Sequence, residues 1–397
     1  MGERDTAPDD AALGRAVLRL LDARHRFGPA DIAHLVELVA ELLEASVARV
    51  HVADYALQRF RVLDAGGPRG EPYAMEGTLA GRTFATGEIT TADGTLWVPL
   101  VDGTERLGVL ELIYSGPDFD PPLVLVGVTE VLVLLITAMR RYTDGWMRTR
   151  RAQQLSAAAE AQWDLLPPLS SAAPEVSVSG ILEPAYEIGG DSFDYAINSH
   201  RLEFTIIDAI GHGMSAVLMS TAVINSLRNT RREGASLVDS YRQADQIVEQ
   251  RFGSSNYVTG HLGSLQLDTG ELTWLNAGHV LPLLIRNGSY VGEMQCAPSM
   301  PIGLGGRVVE VATETLQRGD RVLFYTDGIT ESRSPDGSQF GHERLADFVV
   351  RATLDGLPGA ETVRRLSAHV CSHVGDGLND DATLFLVEFT GSPQRDA

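Results

Sequence analysis

Hydrophobic residues follow helical and strand-like patterns in turn along the first third of the chain. A helix is predicted just after Asp31, because apolar residues recur there at three- and four-residue spacing: Ile32, Leu35, Val36, Val39 and Leu42. Short β-type runs come next, and two of them, TLWVPLV and RLGVLELIY, enclose the turn Asp102-Gly103. An apolar helix over 123–139 closes the pattern. We therefore predict a compact α/β domain over residues 28–139.

The apolar stripe of that last helix continues into a segment of different composition. Arg, Gln, Ala and Glu dominate from residue 140 onward, and Pro167-Pro168 would end a helix there. We predict a linker helix within residues 140–170. One face of it carries apolar residues three or four apart: Leu132, Leu135, Met139, Tyr142 and Trp146. Two interpretations stay open, because this face could pair two chains in a homodimer, which we predict, or pack against its own domains.

The remainder of the chain, residues 174–391, is rich in β-type runs such as RLEFTIID, ELTWLNAGH, RVLFYTDG and ATLFLVEF. Helical stretches are predicted between these runs, at 214–229, 236–252, 342–354 and 360–373. This alternation is typical of antiparallel sheets flanked by helices. The fold class predicted for the whole chain is therefore α+β.

Composition and charge exclude several classes of function. The 53 acidic and 32 basic residues give a net charge of −21, and every one of the 32 is Arg, so chemistry that needs a Lys is excluded. A chain this negative repels nucleic acid and anionic membranes, and we expect neither as a partner. Cys296 and Cys371 are too few for a disulfide framework, and no apolar signal opens the chain, so a cytoplasmic location is predicted. Glu130 interrupts the most apolar stretch, which favours a buried helix over a membrane span.

Aspartates at predicted strand ends are the candidate chemistry. Two strands, about 191–197 and 202–207, flank a polar turn, and a turn centred between Ser199 and His200 pairs positions whose numbers sum to 399. Asp191 then faces Asp208. Two facing carboxylates repel each other unless a cation neutralises them, so the pair predicts a metal site or a shifted pKa.

Further acids recur at the ends of two later strands. Asp327 ends the run VLFYTDG, and Asp380-Asp381 precede ATLFLVEF. If those two strands are antiparallel, all these carboxylates lie at one end of the sheets. Oxygen ligands without a Cys or His cluster suit Mg²⁺ or Mn²⁺ rather than Zn²⁺. Gly189-Gly190 would let the backbone approach a cation or a phosphate there.

Five runs in this part of the chain resemble consecutive motifs of a known family. They are PAYEIGGDSFDY, IIDAIGHGMSAVLMSTA, LNAGHVLPLL, GDRVLFYTDGITESRSPDGSQFG and DDATLFLVEF. In this order they resemble the sporulation stage II protein E (SpoIIE) type phosphatases, a bacterial branch of the metal-dependent PPM-type serine/threonine protein phosphatases. The VDGTERLGVLEL hairpin and its surroundings resemble a GAF sensor domain.

The resemblance implies an α-β-β-α sandwich over 174–391, a GAF-like domain over 28–139, and two Mn²⁺ or Mg²⁺ ions held between aspartates. Carried over position by position, the resemblance implies that Asp208 bridges both ions and that the Ala209 carbonyl and Asp327 are further ligands. Asp380 is implied as a ligand in preference to Asp381. Asp191 would hold a metal or a metal-bound water. The activity implied is hydrolysis of phosphoserine or phosphothreonine by metal-activated water. The implied partner is a phosphorylated anti-sigma-factor antagonist, and the GAF ligand is unknown.

Two other functions are weighed against the phosphatase. One is a sensor or scaffold that binds a sigma-factor regulator without turnover. The other is an ATP-dependent kinase of the anti-sigma type, with NAGH as its metal-binding Asn motif, although a second glycine-rich lid is missing from the sequence. His212 and His279 are secondary candidates for a general acid. Neither cysteine is followed six residues later by Arg, as a thiolate phosphatase requires.

Overall fold

A computed structural model describes residues 7–28, 30–64, 67–115, 122–186, 189–306, 308–375, 378 and 380–391. The chain divides into two compact units, Met1–Gln154 and Leu155–Ala397, called here the N-terminal and C-terminal units. The predicted linker, 140–170, is thereby shared between the two units. None of the helices within the described ranges is both long and apolar enough to cross a membrane.

The N-terminal unit is one antiparallel sheet with helices packed against it. Its strands follow the order β3-β2-β1-β6-β5-β4, and its main core lies between the sheet and helices α1, α2 and α4. The elements are α1 (Ala7–Arg26), α2 (Ile32–Leu42), β1 (Val47–Ala53), β2 (Arg59–Asp64), β3 (Gly67–Ala74), α3 (Leu79–Thr86), β4 (Thr90–Ala92), β5 (Thr95–Asp102), β6 (Glu105–Ile113), α4 (Leu125–Met139), a 3₁₀ turn (Arg140–Tyr142) and α5 (Asp144–Arg150).

Local patterns predicted several of these elements. Helix α2 buries the face that its spacing indicated, β5 and β6 form the hairpin around Asp102-Gly103, and α4 is the apolar helix. Helix α1 lies before the predicted domain start at residue 28 and packs on α2 and α4. The GAF-like character of this unit stays a prediction.

The prediction of one continuous linker helix is wrong. Thr143 has an extended backbone and its hydroxyl caps α5 by accepting from the Gly145 N–H (3.1 Å). Ser156 does the same for α6 (Ala157–Leu165), with the Ala159 N–H as donor (3.0 Å). Each cap starts a new helix, because an extended residue cannot continue the preceding one. Only the end of the segment, before Pro167-Pro168, lies where the sequence indicated.

The apolar stripe that motivated a homodimer is packed inside the N-terminal unit. Leu132, Leu135, Met139 and Trp146 belong to its buried core, and of the five stripe residues only Tyr142 is exposed, at 76%. Buried side chains cannot also form an interface with a second chain. The alternative, packing within its own domain, is therefore correct for this face, and the argument for dimerisation through the linker no longer holds.

The C-terminal unit contains two antiparallel sheets. One has the strand order β15-β12-β11-β10-β9 and the other β14-β13-β16-β17-β8-β7. After α6, the elements are β7 (Ser170–Ala173), β8 (Val176–Glu183), β9 (Ser192–Asn198), β10 (Arg201–Ala209), α7 (Met214–Glu233), α8 (Leu237–Phe252), β11 (Val258–Gln266), β12 (Glu271–Ala277), β13 (Leu283–Arg286), β14 (Ser289–Glu293), β15 (Ala312–Thr315), β16 (Asp320–Tyr325), α9 (Asp327–Thr330), α10 (Gly341–Leu354), α11 (Gly359–Val374) and β17 (Ala382–Phe389).

The two sheets pack face to face with helices outside them. Phe204 of one sheet contacts Phe324 and Phe385 of the other, with ring centroids 4.8 and 5.6 Å apart. Helices α7 and α8 cover the outer face of the first sheet, and α10 and α11 contact the second. Central strands such as β16 and β17 are buried at nearly every position, because the second sheet covers one face and helices cover the other. The unit is thus an α-β-β-α sandwich, with helices near the four stretches predicted.

Candidate active site

The first part of the site is the end of the β9–β10 hairpin. The observed register pairs Asn198 with Arg201 and Ser192 with Ile207, so paired numbers sum to 399 as predicted. Asp191 and Asp208 each lie one position beyond the last pair. The two carboxylates are close enough that Asp208 raises the pKa of Asp191.

The second part of the site is the end of the β16–β17 pair. These strands are antiparallel, as the sequence argument required, and the Thr326 N–H donates to the Thr383 carbonyl (3.1 Å). Asp327 opens the short helix α9 directly after β16, and Asp380-Asp381 precede β17. The aspartates after β16 and before β17 therefore lie at the same end of the sandwich as Asp191 and Asp208.

Two threonines that the sequence analysis missed hold Asp191. The Asp191 side chain is buried, and its Oδ2 accepts a hydrogen bond from each of the Thr326 and Thr383 hydroxyls, both at 2.7 Å. Burial raises the pKa of Asp191 well above its usual range, as do Asp208 and Asp381, while the two threonines oppose the shift. The only signal in the sequence was the position of each Thr, one residue before Asp327 and two after Asp381.

Asp380 and Asp381 have different surroundings. Asp381 is buried, and its carboxylate accepts from the backbone N–H groups of Gly189 (2.9 Å) and Asp191 (3.3 Å). Asp380 is exposed, and its Oδ1 accepts from the Asp381 N–H (2.9 Å). Asp381 therefore fixes the backbone that carries Asp191, whereas Asp380 faces solvent beside Asp208 and Asp327.

The glycines of this segment are needed for close packing. A Cβ at Gly189 would lie 2.4 Å from Asp381 Oδ2, and one at Gly190 would lie 2.1 Å from the Ala209 carbonyl oxygen. Any larger residue would push the Asp191 segment away from β10 and β17. In this structure the two glycines therefore allow close packing within the protein. The approach of this backbone to a cation or a phosphate stays a prediction.

Burial, together with repulsion between neighbouring carboxylates, raises the pKa values of the clustered acids. Burial raises the pKa of Asp208 to about 7, with further contributions from Asp327, Asp380 and Asp381. Burial also raises the pKa of Asp327, helped by Glu331 and Asp380, and that of Asp381 to about 6. Across the described ranges no three Asp, Glu, His or Cys side chains form a ready-made ion-binding group. The acids nonetheless fit a divalent cation in chemistry, since positive charge would relieve this repulsion.

A pH-dependent stability follows from these shifts. A carboxyl group with a raised folded-state pKa keeps its proton in the folded state while the unfolded chain has lost it, so stability falls as pH rises from about 4 to about 7. Without divalent ions we expect the unfolding free energy to be lower at pH 8 than at pH 5 by on the order of 2 kcal/mol. The thermal midpoint should be correspondingly lower at pH 8. Asp208→Asn should remove most of this decrease, and calorimetry of both proteins checks it. A parallel pH dependence in parent and variant would contradict the assignment.

Of the two histidine candidates, His279 is held neutral by its surroundings, whereas the role of His212 stays a prediction. His279 Nδ1 is hydrogen bonded to the Thr259 hydroxyl (2.8 Å) and Nε2 to the Tyr325 carbonyl (3.1 Å). Burial lowers the pKa of His279 to about 3, with a contribution from His261, so the ring is neutral near pH 7. His212 is exposed and pairs through its backbone with Gly189.

The kinase and thiolate alternatives also lose support. Asn276 of NAGH accepts from the His279 N–H (2.6 Å) and donates to the His279 carbonyl (2.9 Å), so its buried amide stabilises the turn and is not free for a metal. Burial raises the pKa of Cys296, and that of Cys371 to about 12, so neither thiol is an activated nucleophile.

Helix α6 contacts the segment that carries Asp191. Gln162 is buried, and its Nε2 donates to the Asp191 carbonyl. Trp163 Nε1 donates to the Ala185 carbonyl (2.8 Å), and Arg228 of α7 donates to the Leu165 carbonyl at the helix end (2.7 Å). The end of the predicted linker therefore packs against the segment that carries Asp191.

Comparison with known proteins gives three findings. Residues 198–390 match the family Stage II sporulation protein E (SpoIIE). The chain is 22% identical over 245 residues to phosphoserine phosphatase RsbU of Bacillus subtilis, covering 59% of this chain and 66% of RsbU. It is 26% identical over 180 residues to phosphoserine phosphatase RsbP of the same organism, covering 44% and 43% of the two chains. The match thus spans less than two thirds of either relative.

A solved structure shows the same fold. The SiaA-PP2C domain of Pseudomonas aeruginosa aligns with a TM-score of 0.50 and 19% identity, over 58% of this chain and 94% of that domain. The matched family residues lie within the sandwich, and they include four of the five clustered aspartates. Residues 198–390, within the C-terminal unit, thus match a SpoIIE-type phosphatase domain, and the sandwich has the PP2C fold.

Proposed function

We propose that this protein is a divalent-metal-dependent protein serine/threonine phosphatase. The observation that carries the proposal is the convergence of five aspartates at one end of the sandwich, where burial and mutual repulsion raise the pKa values of Asp191, Asp208, Asp327 and Asp381. Such an arrangement is costly for a fold that never binds a cation. The names of the relatives RsbU and RsbP, both phosphoserine phosphatases, support the same activity.

In this proposal the residues at the open side of the cluster hold two Mn²⁺ or Mg²⁺ ions. These are Asp208, the Ala209 carbonyl, Asp327 and Asp380, with Asp191 holding an ion or its water. Asp381 serves as a positioning residue, because both of its carboxylate oxygens already accept from backbone N–H groups. The glycine at 190 keeps the side of the Ala209 carbonyl clear of side chains.

When bound, the ions supply a water of lowered pKa as nucleophile and positive charge for the phosphate oxygens. The chain itself contributes orientation. Thr326 and Thr383 fix the Asp191 carboxylate on the protein side, so it can orient a water from the opposite side. Asp381 and Gln162 hold the Asp191 backbone from two directions. Neither Cys296 nor Cys371 takes part, since burial raises the pKa of both thiols.

The substrate we propose is a phosphorylated regulatory protein of the anti-sigma-factor antagonist type, and the N-terminal unit is proposed to be the sensor that regulates its hydrolysis. The contacts of α6 with Ala185 and Asp191 support this regulation. A change in the position of α6 would move the Asp191 segment directly.

The alternative that the sequence leaves open is a sensor or scaffold that binds a sigma-factor regulator without turnover. Turnover separates the two functions. We expect the full chain to hydrolyse an aryl phosphate and a phosphoserine peptide only when Mn²⁺ or Mg²⁺ is added, and EDTA to stop both reactions. Hydrolysis that is absent under every metal condition would instead support the scaffold.

A further inference from the structure

Four large apolar side chains are exposed around the candidate active site. Ile210 is 41% exposed, Met214 42%, Leu218 53% and Met300 50%. We call these four residues the apolar rim. Exposed apolar residues are common singly, but a group of them beside a catalytic site indicates an interaction surface.

The chain topology places the rim beside Asp208. Ile210 follows Asp208 by two residues, and its N–H donates to the Tyr257 carbonyl just before β11 (3.1 Å). Met214 begins α7, and Leu218 lies one helical turn further along the same helix. These three residues therefore follow Asp208 directly in the chain.

Met300 belongs to the segment that pairs with the other edge of β11. Val258 and Ile302 exchange two backbone hydrogen bonds, of 2.9 and 2.8 Å, and Met300 is two residues before Ile302. Since neighbouring strands are about 4.8 Å apart, the backbones at Ile210 and Ile302 lie about 10 Å apart, across the start of β11. Asp208 itself pairs with Thr259, the residue after Val258.

Hydrogen bonds and core packing fix the backbone next to two of the rim residues, Met300 and Leu218. The Tyr241 hydroxyl donates to the Met300 carbonyl (2.6 Å), and the buried Asp245 carboxylate accepts from the N–H groups of Gly303 (2.6 Å) and Gly305 (3.1 Å). On α7, the residues next to Leu218, Val217 and Met219, are buried in the core. The fold therefore fixes the backbone near Met300 and places Leu218 on the outer face of α7.

Charge favours an apolar mode of recognition here. The acids of the site repel an anionic phosphoprotein until cations are bound, and the chain has a net charge of −21 and no Lys. Electrostatic attraction to an acidic partner cannot supply the affinity. Burial of apolar surface is independent of that repulsion and contributes affinity whatever the charge of the partner.

We propose that the apolar rim docks the protein substrate, by burying apolar residues that flank its phosphorylated Ser or Thr. This inference rests on the proposed phosphatase function and specifies its substrate class, a phosphoprotein with apolar residues next to the phosphate. The other possible occupant, a second copy of this chain, becomes an outcome of the test.

The test uses the full chain, Mg²⁺ and two fluorescein-labelled peptides measured by fluorescence anisotropy. Both peptides carry a phosphonate analogue of phosphoserine, which is not hydrolysed, flanked in one by Leu and Ile and in the other by Ser and Asn. The variant is Met214→Gln with Leu218→Gln. Leu354→Gln is the matched control, because Leu354 is 69% exposed at the end of α10 and contacts Gly288, at the β13–β14 turn. That turn adjoins Arg286, which pairs with Asp320 at the opposite end of β16 from Asp327.

We expect the parent and Leu354→Gln to bind the apolar peptide at least about tenfold more tightly than the polar one, and the double variant to lose this preference. Equal binding of both peptides by the parent, no binding of either, or an unchanged preference in the double variant would overturn the proposal. So would a concentration-dependent dimer of the parent, in sedimentation, that the double variant does not form, because the rim would then belong to a second copy.

Aryl phosphate hydrolysis separates this proposal from the function on which it rests. The small substrate does not reach the rim, so the double variant should keep the Mn²⁺-dependent rate of the parent within about twofold. Equal loss on the aryl phosphate would mean that the substitutions disturbed the site, and it would overturn the docking role. A parent that binds the apolar peptide preferentially yet hydrolyses nothing contradicts the phosphatase function alone.

Discussion

Asp208→Asn and Asp327→Asn are each expected to lower the metal-dependent phosphatase rate by at least about 1,000-fold while the folded protein becomes as stable as the parent or more stable. The rate falls because each substitution removes a carboxylate that we propose binds the ions, and catalysis by metal-activated water requires both ions. Stability does not fall, because each substitution removes one charge from a cluster whose members raise each other's pKa. Aryl phosphate kinetics and calorimetry on the same preparations measure the two effects.

Asp194 provides the matched control. It lies only three residues from Asp191 and is equally buried, but its carboxylate is paired with Arg228 (2.7 Å) and Arg231 (2.9 Å). Asp194→Asn should therefore reverse the pattern, costing about 3–5 kcal/mol of stability because two Arg side chains lose their partner, while the folded fraction keeps most of its rate. Activity within tenfold of the parent for both Asp208→Asn and Asp327→Asn would exclude the two-metal assignment.

Gln162→Glu is expected to lower kcat by about 10- to 100-fold with little change in KM for an aryl phosphate. The substitution keeps the size of the side chain but removes the N–H that donates to the Asp191 carbonyl. It also brings a carboxylate towards a group of acids that already repel one another. The Asp191 segment would then be less firmly positioned, although no group that contacts the substrate has been changed. Steady-state kinetics at saturating Mn²⁺ measure the effect.

A control for this prediction is Gln250→Glu, an exposed position near the end of α8, where the same change of charge should leave kcat unchanged. Gln162→Ala separates the lost hydrogen bond from the added charge, and we expect it to be the milder of the two variants. A Gln162→Glu enzyme with the kcat of the parent would show that α6 does not position Asp191. The proposed route from the N-terminal unit to the site would then have no basis.

Local patterns in the sequence were sufficient for much of the catalytic fold. The polar turn at Ser199-His200 determined the register of β9 and β10, because a two-residue turn leaves only one pairing of the flanking strands. That register alone brings Asp191 opposite Asp208. The β-type runs between helical stretches likewise indicated sheets flanked by helices, because apolar strands must pack against another layer. The GAF-like domain and the individual metal ligands stay predictions.

Tertiary structure determined the contacts between distant segments, which local sequence patterns do not predict. The hydroxyls of Thr326 and Thr383 donate to Asp191, from which they are 135 and 192 residues away in the sequence. Hydrophobic periodicity does not predict such contacts between separate strands. The apolar stripe at 132–146 was compatible with a dimer or with a core, because spacing shows only that a face is buried and not against what. Caps at Thr143 and Ser156 broke the linker into separate helices. The sequence by itself thus determined the hairpin, the strand-end aspartates and the layered fold, while packing between distant segments decided which side chains hold Asp191 in place.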